Sequence, residues 1–401
     1  MESITPEVLR PIRTLGPIAW LRRNLFNNWY NVVLTFIVLG VIYKVLIGLI
    51  NFLLQANWDP VTTRPVLYLV GQYPAEELWR IGLAVFIISF LFGISWGNWG
   101  DLVQTFAYLI IAGSAAAAFI PSTIISVSWP VRIFFLVNIT LVFVGRAVGR
   151  SRFGKPRTIL ILWLISLPIV IILIYGFAQS EFMPVVLTTL WGGLMVNLLL
   201  AAIGIAASFP VGVILALGRR SSLPVLRWFC IGFIEIVRGV PLITILFMAS
   251  IILPLFLPGD IRIDRLIRAL IGITMFSAAY MAENIRGGLQ AIPLGQYDAA
   301  KAIGLNSTLT TLLIILPQAI RLVIPAIVGQ FIALFKDTTL VLIVGLLEIL
   351  GVGKAILGGN PQWVTSQTEV YLFVAAAFWV FTFSLSRSSR HLEKALGVGE
   401  R

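Results

Sequence analysis

Two short segments of this chain set an acid and a base three residues apart: Glu235-Ile-Val-Arg238-Gly239 and Glu283-Asn-Ile-Arg286-Gly287. On a helix such residues share a face, so each pair either neutralises itself close to lipid or presents charge to a solute crossing the membrane. The glycine after each Arg lets backbone approach closely or ends the helix. A third segment, Lys336-Asp337-Thr338-Thr339-Leu340, sets opposite charges side by side. It reads as an interfacial anchor with its counter-ion or as a pair facing a zwitterion. The chemistry on offer is charge pairing, with no bond made or broken. A single Cys (Cys230) and a single His (His391) exclude a disulfide framework and a cysteine or multi-histidine metal site. No GxxxxGK[ST] phosphate loop is present, so ATP chemistry would have to sit on a partner. No catalytic residue, cofactor or metal is expected.

The residues between these segments form a polar island. Glu283, Arg286, Gln290, Gln296, Asp298 and Lys301 fall close together in a chain with only 11% charged residues, against a usual ~25%. Between two apolar runs, such an island is a loop in water. Within it Tyr297 to Ile303 can form two turns of helix, with Asp298 expected near the N-terminal end, where the helix dipole favours it. Ala299 and Ala302 leave one face with little bulk, suited to a groove on another protein. Gly304 supplies the stop, and Asn306 or Ser307 caps a following helix that contains Pro317 and Pro325. The bland alternative is a plain connecting loop.

The elements that must position these residues are membrane helices. Hydrophobic residues make up 59% of the 401, and the mean hydropathy is +0.98. The chain is therefore an all-α polytopic membrane protein. About ten transmembrane helices are expected, near 32–54, 78–96, 102–124, 131–144, 158–178, 189–217, 223–257, 266–281, 312–335 and 370–385. Lys44 in the first either pairs or snorkels. The seventh stretch is too long for one crossing, and its first third, around Arg227, is expected along the interface. Residues 336–368 are expected to hold a short or re-entrant helix. The first apolar run follows Arg10, Arg13, Arg22 and Arg23 without a cleavage site and reads as a retained helix.

Basic segments fix the orientation. Arg146 to Arg157, Arg219-Arg220 and the tail from Arg387 fall on one side, which the positive-inside rule makes cytoplasmic, together with both termini. The loop with Asp260, Arg262, Asp264 and Arg265 is balanced in sign and is expected outside. The excess of 29 Lys and Arg over 17 Asp and Glu is then explained without nucleic acid. Two parts are expected: residues 1–180, an extension with five spans, and residues 181–395, with five more spans and all the motifs. No long repeat links them. The GxxxG match from Gly145 to Gly149 is by itself too common to carry a function.

Asp298-Ala299-Ala300, Gly304, Ile314 and Leu316-Pro317 resemble, in type and spacing, the EAA signature of the inner-membrane permease subunits of binding-protein-dependent ABC importers. Asp298 stands where that family usually has Glu. Arg238-Gly239-Val240-Pro241, Ala282 to Gly288 and Lys336 to Leu340 resemble three segments of its polar amino acid permeases, in the same order. Residues 20–26 and 73–80 are similar to the leader region of the M-type subunit of general L-amino acid importers.

The resemblance implies that the C-terminal five spans form a type I ABC importer permease core. It makes the segment of Tyr297, Asp298, Ala299, Ala300 and Gly304, with Leu316 and Pro317, the coupling element that docks into an ABC ATPase. It further implies a second permease subunit as heterodimer partner, a periplasmic amino acid-binding protein, a bacterial inner-membrane location in contact with lipid, and polar L-amino acids of broad range as cargo. Glu235, Arg238, Glu283, Arg286, Lys336 and Asp337 are then candidates for the substrate path or for structural pairs.

The main rival is a stand-alone ion-coupled amino acid carrier. That would want unpaired acids in mid-span, whereas Glu235 and Glu283 each have an Arg three residues on. A membrane assembly factor would leave the Ala-rich loop without a task.

Overall fold

A computed structural model describes residues 16–125, 127–152, 154–258 and 262–397. Arg10, Arg13 and Asp260 lie outside these residues. The chain divides into two compact units, Met1–Asn57 and Trp58–Arg401. In the first, a short helix Pro17–Asn24 precedes α1 (Trp29–Gln55), an apolar helix of 27 residues with none buried.

The second unit begins with α2 (Pro65–Val70), then α3 (Leu78–Trp99), α4 (Asp101–Phe119), α5 (Trp129–Arg150) and α6 (Pro156–Tyr175). It continues with α7 (Gly193–Arg219), α8 (Pro224–Gly239), α9 (Leu242–Phe247), α10 (Arg265–Gln290) and α11 (Leu294–Ala302). The last helices are α12 (Leu316–Asp337), α13 (Ile349–Gly359) and α14 (Gln367–Ala395). Among the described residues nine helical stretches are long and apolar enough to cross a membrane, or ten if the bent pair of Pro224–Gly239 and Leu242–Phe256 counts as one.

That bent pair departs from expectation. It turns by 107° at Val240-Pro241, well beyond the first third of the stretch. Proline forces the residue before it out of the helical region, and Val240 has the extended φ −111 and ψ 135. The expected short element in 336–368 is present. Thr338–Val344 tightens to a 3-10 turn, and α13 follows with 11 residues. At 1.5 Å per residue α13 reaches roughly 16 Å, too short for a hydrocarbon core of about 30 Å.

Lipid gives helices no hydrophobic reason to associate, so close packing relies on small side chains. The α3–α5 crossing shows this most clearly. A Cβ on Gly93 would strike the carbonyl of Val142, one on Gly145 the carbonyl of Phe90, and one on Gly149 the carbonyl of Ile94. The Arg146 guanidinium lies 3.6 Å over the Trp96 ring beside this crossing. The GxxxG match of α5 therefore has a job, opposite a second one, Gly93 and Gly97, on α3.

In the C-terminal half α10 is central. Its buried residues include Gly272, Ser277, Ala278, Ala279, Ala282 and Gly288, which admit α7 on one side and α12 on the other. Met281, Ile285, Ile315 and Ala319 join Cys230 of α8 in one apolar cluster. Cys230 is 2% exposed, and its sulfur fills the space a side chain at Gly218 would need.

Several basic residues gather at one end of the second unit. Arg220, at the end of α7, meets Tyr297 of α11. Arg321, near the start of α12, donates to the Leu396 carbonyl beyond α14 at 2.8 Å. His391 Nδ1 stands 3.0 Å from the Asp101 carbonyl at the start of α4. Arg146 and Arg150 close α5 at this same end.

Candidate coupling loop and charge cluster

The loop between α10 and α12 is built from local signals. Pro293 ends the turn after α10 and α11 starts at Leu294, so Asp298 is its fifth residue and lies mid-helix. The expected N-terminal place for Asp298 is therefore corrected: Leu294, Gly295 and Gln296 already continue the helix. Ala300 faces inward at 1% exposure, whereas Asp298, Ala299, Lys301 and Ala302 are exposed. The bare face expected at Ala299 and Ala302 is thus open.

Gly304 adopts φ +81, a left-handed conformation that a residue with a Cβ resists. Asn306, rather than Ser307, caps the next helix by accepting from the Leu309 N–H at 2.9 Å. Before Leu316 and Pro317 the helix widens to a π-turn over Thr310–Ile315. Pro317 has no N–H to offer the carbonyl four residues back, which accounts for the widening.

Two side-chain links tie α11 to the membrane helices. The Tyr297 hydroxyl is 3.3 Å from both terminal nitrogens of Arg220, whose guanidinium lies 6.0 Å from the ring centre. Gln318 Nε2 of α12 donates to Gln296 Oε1 at 3.3 Å.

Next to this loop, three arginines and two glutamates form a cluster. Glu283 accepts from Arg286 Nε at 2.8 Å, and Glu283 Oε2 is also 3.4 Å from Arg219 and 3.5 Å from Arg238. Arg219 reaches Glu235 at 3.0 Å. The guanidinium of Arg238 lies 5.3 Å from the Tyr280 ring centre. The Glu283–Arg286 pair forms as its spacing predicts. Glu235 and Arg238 do not pair with each other: Glu235 takes Arg219 of α7, and Arg238 takes Glu283 of α10. Helix packing brings in Arg219, which spacing along α8 could not reveal.

Lys336 and Asp337 stand apart from this cluster. Lys336 is exposed and Asp337 half-buried, and no ion pair holds either among the described residues. The adjacent Thr338 is buried. Its hydroxyl donates to the Phe335 carbonyl at 2.7 Å and accepts from Asn197 Nδ2 at 2.8 Å. Asn197 Oδ1 accepts from the Ile349 N–H at 3.0 Å, and Glu348 caps α13 by accepting from the Leu350 and Gly351 N–H groups at 2.9 and 2.8 Å. Burial pushes the Glu348 carboxyl above the usual glutamate range, against the pull of those donors. Asn197 and Arg219 are roughly 33 Å apart along α7, so the structure does not bring Lys336 and Asp337 into one site with the arginine cluster.

Known proteins match the chain over nearly its whole length. Residues 208–398 match the family described as binding-protein-dependent transport system inner membrane component. The inner membrane amino-acid ABC transporter permease protein YhdY of Escherichia coli K12 is 37% identical over 95% of this chain and 94% of its own. The chain belongs to that permease family. The glutamate/glutamine/aspartate/asparagine transport system permease protein BztC of Rhodobacter capsulatus is 34% identical to this permease over 96% of the chain and 95% of its own. A crystal structure of an amino acid ABC transporter with histidines is 27% identical over 51% of this permease and 92% of that chain, with a TM-score of 0.46.

The permease is thus a multi-pass membrane transport subunit of an ABC importer. Two features of it escaped sequence reasoning. The Asn197–Thr338–Glu348 network was signalled by a lone Asn in an apolar run and by an acid just before Ile349. The glycine crossing was signalled by paired GxxxG matches in two different spans.

Proposed function

We propose that this permease carries polar L-amino acids of broad range inward as one half of a membrane path. A second permease subunit supplies the other half, a periplasmic binding protein delivers cargo, and a separate ABC ATPase supplies the work at α11. The exposed, almost bare face of α11 at the basic end carries this reading. Positive-inside sorting makes that end cytoplasmic, with both termini. The closing ATPase moves α11, and the Tyr297–Arg220 and Gln296–Gln318 links pass the displacement to α7 and α12. The helices then exchange two packings whose balance ATP and cargo bias. Lys336 and Asp337, in no ion pair among the described residues, present both charges to a zwitterion. Glu283 keeps the arginines at the cytoplasmic end paired.

The test is Ala299→Trp. Ala299 is exposed, so the fold tolerates the indole while the docking face does not. ATP-driven amino acid uptake by the reconstituted transporter should fall about tenfold or more, the equivalent of losing ~1.4 kcal/mol of docking. The ATPase should also cease to co-purify. Undiminished uptake would remove α11 from the coupling role.

A further inference from the structure

At the end of the second unit opposite α11, a cavity of about 170 Å³ opens between α2, the turn Thr188–Leu190 and α13. α7 separates the two ends by about 40 Å. The lining includes Arg64, Gln72, Thr189, Trp191, Asn360 and Trp363. The site has a fixed frame. Gly71 (φ +69) meets Gly192 backbone to backbone, with a β-bridge between Gly71 and Trp191, so neither position admits a side chain. Tyr68 of α2 is 1% exposed and packs with Val352 and Val370. The Arg64 guanidinium lies 5.8 Å from the Trp363 ring centre. Arg64 is exposed and forms no ion pair among the described residues.

Among the described residues no Asp or Glu lines this cavity. A free amino acid would bring an ammonium that finds no counter-ion here, whereas a lone carboxylate finds a guanidinium already held against an indole. An arginine with its planar donors unspent takes a carboxylate in two parallel hydrogen bonds. The volume exceeds that of a single water about tenfold, room for a short acidic side chain.

We infer that this cavity receives an acidic side chain of the periplasmic binding protein when it docks, with Arg64 as the carboxylate partner. The inference rests on the reading of this permease as one half of a binding-protein-dependent importer. It gives the α2 segment, which lies outside the matched family region, a role in recognition.

The experiment uses the whole transporter in proteoliposomes, titrated with the binding protein that co-purifies with it from native membrane. Arg64→Glu should raise the binding-protein concentration giving half-maximal uptake about tenfold, with the maximal rate retained. Arg64→Gln should raise it less, and Arg64→Lys should stay within about threefold of the native value, as expected for a charge at an interface rim. An unchanged half-maximal concentration in Arg64→Glu overturns the inference. Radiolabelled glutamine is titrated in parallel against the transporter without binding protein. Saturable binding lost in Arg64→Glu would give the cavity to a small molecule and equally overturn it. If the native transporter ignores the binding protein altogether, the proposed function fails instead.

Discussion

At the α3–α5 crossing, glycines bring two backbones into contact, and Arg146 lies on the Trp96 ring. At the junction of α7, α8 and α10, three arginines share two glutamates, and long charged side chains bridge the helices where they end. Both arrangements hold helices together where lipid supplies no push. They differ in what they permit. Backbone against backbone leaves no slack, because a carbonyl cannot move aside as a side chain can. Glu283 has three arginines within reach, so a helix can shift and the carboxylate still keeps a cation. The comparison assigns a fixed frame to the N-terminal helices of the second unit and an adjustable joint to the end beside α11.

The largest effect should come from breaking the fixed frame. Gly149→Leu drives a side chain into the Ile94 backbone and should cost about 3 kcal/mol, read as a fall in the thermal midpoint in detergent. Gly113→Leu, where nothing lies within 4 Å of a Cβ, should leave the midpoint nearly unchanged. A fall of equal size in both would erase the distinction.

The joint should respond less. Removing one partner of a buried pair costs ~3–5 kcal/mol, but the Glu283 side chain is 20% exposed and solvent screens its partners. Glu283→Gln should therefore cost about 1–2 kcal/mol by the same measurement, and more of its effect should fall on uptake than on folding. The smallest change is expected for Glu235→Gln, below about 1 kcal/mol, since that side chain is 56% exposed and its one ion pair among the described residues is with Arg219. A larger loss there would make Glu235 the hub of the cluster in place of Glu283.

The sequence carries the spans and the loop because both follow from local patterns. Apolar length marks a crossing, and Gly304, Asn306 and Pro317 act on their own stretch of backbone. What spacing along one helix cannot show is which neighbour arrives. Glu235 has Arg238 three residues on and yet takes Arg219, sixteen residues back, because α7 and α8 fold onto each other. The glycine crossing is hidden for a similar reason. Gly145 and Gly149 mean little until Gly93 and Gly97 are set opposite them, some fifty residues away. Asp298 moved to mid-helix because α11 begins three residues earlier than Tyr297, at a proline-bounded turn. Lys336 and Asp337 form no ion pair among the described residues, which neither periodicity nor charge balance foretold.

The sealed position of Cys230 has a practical consequence. A membrane-impermeant maleimide added to intact cells or inverted vesicles has no exposed native thiol on the described part of this chain to attack. A cysteine placed at Ala299 or at Arg64 would then be the sole acceptor. Which preparation gives a labelled permease after purification would report which compartment each end faces.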